Sequence, residues 1–112
     1  MDYRIEGRKL KLFLVTRYPG CGWRYTFREE YRITQGSANV TETVYVTPAA
    51  RLDCLEYRDV EIEPTSDNTE VVVSVYSSNP QATEYDLIFT FKNGEWITTV
   101  ENVRPPIYHK IT

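Results

Sequence analysis

Arg24, Arg28 and Arg32 stand four residues apart in a segment whose apolar and polar residues alternate. On a strand the three guanidinium groups share one face at intervals of about 13 Å, and the strand before it adds Arg17 and Lys11. A row of this kind attracts phosphates or acidic protein side chains, while Tyr18 and Trp23 beside it offer rings that stack on a base or a sugar. The candidate binding residues are therefore Arg17, Tyr18, Trp23, Arg24, Arg28 and Arg32.

The row belongs to a wider asymmetry. Residues 1–32 carry eight basic groups against four acidic ones, and residues 33–112 carry five against twelve, so a net +4 and a net −7 lie inside an overall charge of −3. A chain polarised in this way either pairs its own charges on folding or offers one sign to a partner. Glu30 shares the arginine face, and Glu42 or Glu61 are cross-strand candidates for self-pairing. A pI near 5.2 separates the chain from dedicated nucleic-acid binders, which are usually basic. An acidic protein is the partner this pattern favours.

Other chemistry is thin. Cys21, Cys54 and the single imidazole His109 supply the parts of a small thiol hydrolase. His109 stands three residues from the end of the sequence, and only the nearby arginines would lower the Cys21 pKa, so a non-catalytic protein is the preferred reading. Asp59, Glu61 and Glu63 alternate and are expected on a solvated sheet edge that discourages edge-to-edge pairing. No spacing typical of a zinc or calcium site occurs, and no cofactor motif. A bridge between the two cysteines would close a loop of about 34 residues, worth about 4 kcal/mol on the chain-entropy model. A chain of this size needs no such staple, so two thiols in a reducing compartment are preferred. Met1-Asp2-Tyr3-Arg4 lacks the apolar run of a secretory signal, which places the chain in the cytoplasm or past removal of a leader. The longest apolar run near the start, Leu12 to Val15, is far short of a membrane span.

The elements that must position these groups are mostly strands. One domain spanning 1–112 is expected, with enough length for one modest core. Tyr3 to Glu6 and Lys9 to Arg17 read as a strand pair that turns Leu10, Leu12 and Leu14 to the core. Trp23 to Thr34 alternates, with Trp23, Tyr25, Phe27, Tyr31 and Ile33 opposite Arg24, Thr26, Arg28, Glu30 and Arg32. It is entered through the turn Tyr18-Pro19-Gly20-Cys21-Gly22 and followed by a strand over Val40 to Val46.

Thr47 can cap a helix that Pro48 begins, and the apolar parity changes between Leu55, Tyr57 and Val60, Ile62. The expectation is one short helix near 48–57 and then a strand near 59–63. Glu70 to Tyr76 reads as a central strand buried on both faces. Glu84 to Lys92 turns through Asn93-Gly94 into a last strand that ends before Pro105-Pro106. The expected fold is mainly β (α+β): about seven antiparallel strands as a sandwich or a curled sheet, with one helix. The expected function is an interaction module of the inhibitor, adaptor or immunity type. The alternative is a carbohydrate or small-ligand module using Tyr18 and Trp23.

Overall fold

The computed structural model describes residues 1–35, 40–45, 53–64 and 67–106. Among these residues eight strands make one antiparallel sheet: β1 (Asp2–Glu6), β2 (Lys9–Arg17), β3 (Phe27–Gln35), β4 (Val40–Tyr45), β5 (Leu55–Pro64), β6 (Thr69–Ser77), β7 (Glu84–Lys92) and β8 (Glu95–Arg104). Seven of them follow the order β4-β5-β2-β3-β6-β7-β8 and curl into a half-barrel, and β1 adds to β2. The mainly β, antiparallel, curled reading is correct.

The curl originates at a fork in the hydrogen bonding of β2. One edge of β2 pairs with β5 from Leu10 to Arg17. The other edge is divided: β1 pairs with Lys9 to Phe13, and β3 pairs only with Thr16 and Arg17. Beyond that corner β2 and β3 diverge, and the leucine face of β2 turns over the valine face of β6. The core is the result. Leu10, Leu12, Leu14, Val60 and Ile62 come from one side, and Val71, Val73, Phe89, Phe91 and Trp96 from the other. A leucine or phenylalanine buried this fully contributes about 1.5–3 kcal/mol. The two sides also touch at the rim, where the ring of Tyr3 meets Phe89 edge-on at 5.0 Å and Trp96 Nε1 donates to the Arg8 carbonyl at 2.8 Å.

The last three strands form the expected meander. β6 is a central strand between β3 and β7, and it is buried along Val71 to Val75, residues that the pleat turns alternately to both faces. The β7–β8 hairpin closes on Asn93 (φ 53°) and Gly94 (φ 79°), the two left-handed positions of a type I′ turn.

Four expectations need correction. No helix occurs among the described residues: residues 48–52 lie outside them, and Leu55 to Tyr57 open β5. The parity change that suggested a helix has another cause. β5 is one continuous strand whose apolar residues serve two faces, with Val60 and Ile62 in the core and Leu55 and Tyr57 lining a cleft on the reverse. Second, the cysteines are not thiols: Cys21 and Cys54 form a disulfide, because the turn at Gly20 sets their Cα atoms 6.0 Å apart, well inside bridging range. Third, β5 is no sheet edge, since β4 and β2 pair on either side of it, and Glu61 there meets Lys9 Nζ at 3.1 Å. Fourth, β3 begins at Phe27, four residues after the alternation does.

Candidate binding site at the pinned loop and the sheet fork

The segment between β2 and β3 is a loop held at three points. Gly20 and Trp23 exchange two backbone hydrogen bonds, of 2.8 and 2.6 Å, around Cys21 (φ 48°) and Gly22 (φ 91°). Those signs of φ make a type I′ turn, and they explain why glycine stands at 22. The disulfide ties the turn to Cys54, and Tyr18 N–H donates to the Cys54 carbonyl at 2.9 Å. On the far side, Thr26 N–H donates to Ser78 Oγ and Ser78 N–H to the Thr26 carbonyl, each at 2.9 Å. Pinned so, the loop exposes Tyr18 (42%), Trp23 (41%) and Tyr25 (36%).

The six candidate residues do not form one row. Arg28 and Arg32 share a face of β3, whereas Arg24 rides on the loop over the ring of Tyr25, 5.8 Å from its centroid. Arg17 lies on the reverse face at the fork. Its guanidinium stacks on Trp23 at 4.7 Å and on Phe27 at 4.5 Å. Tyr18 and Arg28 border a smaller hollow on the leucine face of β2.

The self-pairing question has a mixed answer. Arg28 Nε meets Glu30 at 3.1 Å on the surface, a contact of at most about 1 kcal/mol, and its guanidinium also lies 5.0 Å from the Tyr76 centroid. Arg32 donates to Ser74 Oγ at 3.1 Å. Among the described residues, no carboxylate lies within ion-pair distance of Arg17, Arg24 or Arg32.

A cleft of about 780 Å³ opens where β2 and β3 part. Phe13, Val15 and Arg17 of β2, Phe27 and Glu29 of β3, and Leu55, Tyr57 and Asp59 of β5 line it, with Met1, Asp2 and Trp23 at its rim. Glu29 was not among the sequence candidates. It occupies an apolar position of the β3 alternation, between Phe27 and Tyr31, and a charge in that phase is the signal that could have found it. Only 2% of it is exposed. Its Oε1 accepts the Val15 N–H at 2.9 Å, which fills the gap in the β2 ladder left by the fork. Its Oε2 accepts no hydrogen bond, and the Met1 ammonium stands 3.7 Å away. Burial raises the Glu29 pKa, against the pull of the Val15 N–H, the Met1 ammonium and Arg17.

A second buried carboxylate, Asp86, lies on β7 away from the cleft. Burial pushes its pKa up, but hydrogen bonds from Asn102 and Ser74 and the Arg104 guanidinium at 3.4 Å outweigh it and hold the group below the usual aspartate range. Cys21, being bridged, presents no thiolate, and His109 lies outside the described residues. No three His, Cys, Asp or Glu side chains among the described residues converge closely enough to hold a metal ion. No helix among them is long and apolar enough to cross a membrane. Comparison with protein-family models, with curated proteins and with solved structures finds no match to this chain.

Proposed function

We propose that this protein is a non-catalytic interaction module that docks an acidic protein on the pinned loop and the adjoining face of β3. The observation that carries the reading is the combination on one braced loop of Tyr18, Trp23 and Tyr25, all exposed, with Arg24, which is not ion-paired to a carboxylate among the described residues. Tyr, Trp and Arg are the residue types that dominate binding energy at protein interfaces. A disulfide and a two-residue turn hold them in place before contact, so little ordering entropy is lost on docking. Arg28 and Arg32 extend the cationic surface along β3, and the surface pair Arg28–Glu30 can be exchanged for a partner carboxylate at small cost. The bridge also favours an oxidising compartment as the place of work.

The test is affinity capture from the native source, followed by titration of the purified partner at rising ionic strength. Affinity should fall steeply with salt, chiefly through slower association, and Arg24→Glu with Arg28→Glu should weaken it by about tenfold or more. Retention of full affinity by that double variant overturns the proposal.

A further inference from the structure

The reverse face of the sheet carries an inference separate from the docking surface, and it rests on Arg17. This side chain is half-buried and lines the cleft of about 780 Å³ at the fork. The rings of Trp23 and Phe27 brace its guanidinium at 4.7 and 4.5 Å. Among the described residues none of its N–H groups donates to a protein acceptor, and no carboxylate stands within ion-pair distance. Glu29, the carboxylate that shares this part of the cleft, is closed to solvent and paired with the Met1 ammonium at 3.7 Å. Arg17 acts on it only as a charge at longer range. The guanidinium is therefore left unclaimed in an open cleft.

In register across the sheet, Arg17 faces Leu55, Val15 faces Tyr57, and Phe13 stands between Asp2 and Asp59. Four residues of strand separate the first of these rows from the last, a distance of about 13 Å. The cleft thus runs from a guanidinium between aromatic rings, across an apolar floor, to an acidic rim. Its guanidinium end is set before any ligand arrives, because the Gly20–Trp23 hydrogen bonds fix Trp23 and the Cys21–Cys54 bridge ties that turn to the start of β5. A planar guanidinium braced by rings keeps its donors in one plane, the geometry that takes a carboxylate through two parallel hydrogen bonds.

The geometry points to a binding site for a small organic monocarboxylate with an apolar or aromatic body. Its carboxylate accepts from the Arg17 guanidinium, and its body lies over Leu55, Tyr57 and Val15 beside Trp23. The volume suits such a molecule, since small-ligand sites commonly enclose about 300–1,000 Å³. A single guanidinium matches one negative charge. Asp2 and Asp59 lie more than a Debye length of about 8 Å from it, so they repel only a ligand long enough to bring a second negative charge to the rim.

The experiment is an NMR titration of the whole chain at neutral pH with 3-phenylpropionate, and with 3-phenylpropan-1-ol as its neutral counterpart. The acid should shift the Arg17 Nε–H and Trp23 indole signals saturably. It should bind about tenfold tighter than the alcohol, the worth of one charge-assisted hydrogen bond. Arg17→Gln should remove that preference, and Arg17→Lys, which keeps the charge but loses the planar fork, should retain only part of it. Tyr57→Ala, at an exposed position, should weaken the acid severalfold by taking away part of the floor. Equal binding of acid and alcohol by the parent overturns the inference, as does an absence of saturable shifts at both reporters. An acid affinity unchanged by Tyr57→Ala does the same, and none of these three results depends on whether Arg17→Gln folds. Partner docking through Arg24 and Arg28 is read separately, so either proposal can fail without the other.

Discussion

Replacing Glu29 tests how the fork of the sheet is held together. Its carboxylate supplies the acceptor that β3 backbone would provide if the ladder between β2 and β3 continued past Thr16 to Val15. Glu29→Ala leaves the Val15 N–H buried without a partner, a cost of about 1–3 kcal/mol, and opens a void at the same point. Glu29→Gln keeps an oxygen for Val15 and removes the buried charge, so it should be as stable as the parent at neutral pH or more so. The sign of the pH dependence follows from the raised pKa. The folded chain holds the Glu29 proton more tightly than the unfolded chain, whose carboxyl titrates near the ordinary 4.5. Relative to Glu29→Gln, the parent therefore gains stability as pH falls from neutral through the raised folded value, and the gain is complete below the unfolded one. Equilibrium urea unfolding of the three proteins across that range gives the measurement. Two results refute the reasoning: an Ala variant as stable as the Gln variant, or a parent-minus-Gln difference flat with pH.

Three further outcomes are expected. Cys21→Ser with Cys54→Ser removes a bridge between residues 33 apart, which costs about 4 kcal/mol on the chain-entropy model and should also weaken partner capture; denaturant midpoints and binding measured together check both. Asp86 has a lowered folded pKa, so its contribution is present above about pH 4 and disappears as pH falls through the folded value, a dependence that Asp86→Asn should abolish in acid unfolding curves. Leu12→Ala, at the centre of the core, should cost about 2–5 kcal/mol by thermal or urea unfolding, whereas removal of the exposed Tyr57 side chain should cost far less.

Much of the fold was legible before any coordinates, because strands with one buried face write their geometry as a period of two. Leu10, Leu12 and Leu14, the valine run of β6 and the Asn93-Gly94 turn each carry a local rule that nothing distant overrides. The segment around Leu55 misled because a strand with a core on one face and a cleft on the other loses its simple alternation. Trp23 and Tyr25 misled in the opposite sense: they keep the alternation of β3 but are drawn out of the sheet by the Gly20–Trp23 turn.

The candidate site was legible only as a set of residue types. Sequence by itself determined the strand-rich character, the apolar faces and the crowding of arginine and aromatic residues near the amino end, all of which depend on near neighbours along the chain. Tertiary structure decided that Cys21 meets Cys54, that Arg17 faces away from Arg28, and that Glu29 fills a break in the ladder of β2. Those outcomes depend on where β2 and β3 part, and that point is set by competition between β1 and β3 for one edge, a long-range balance that no local pattern encodes.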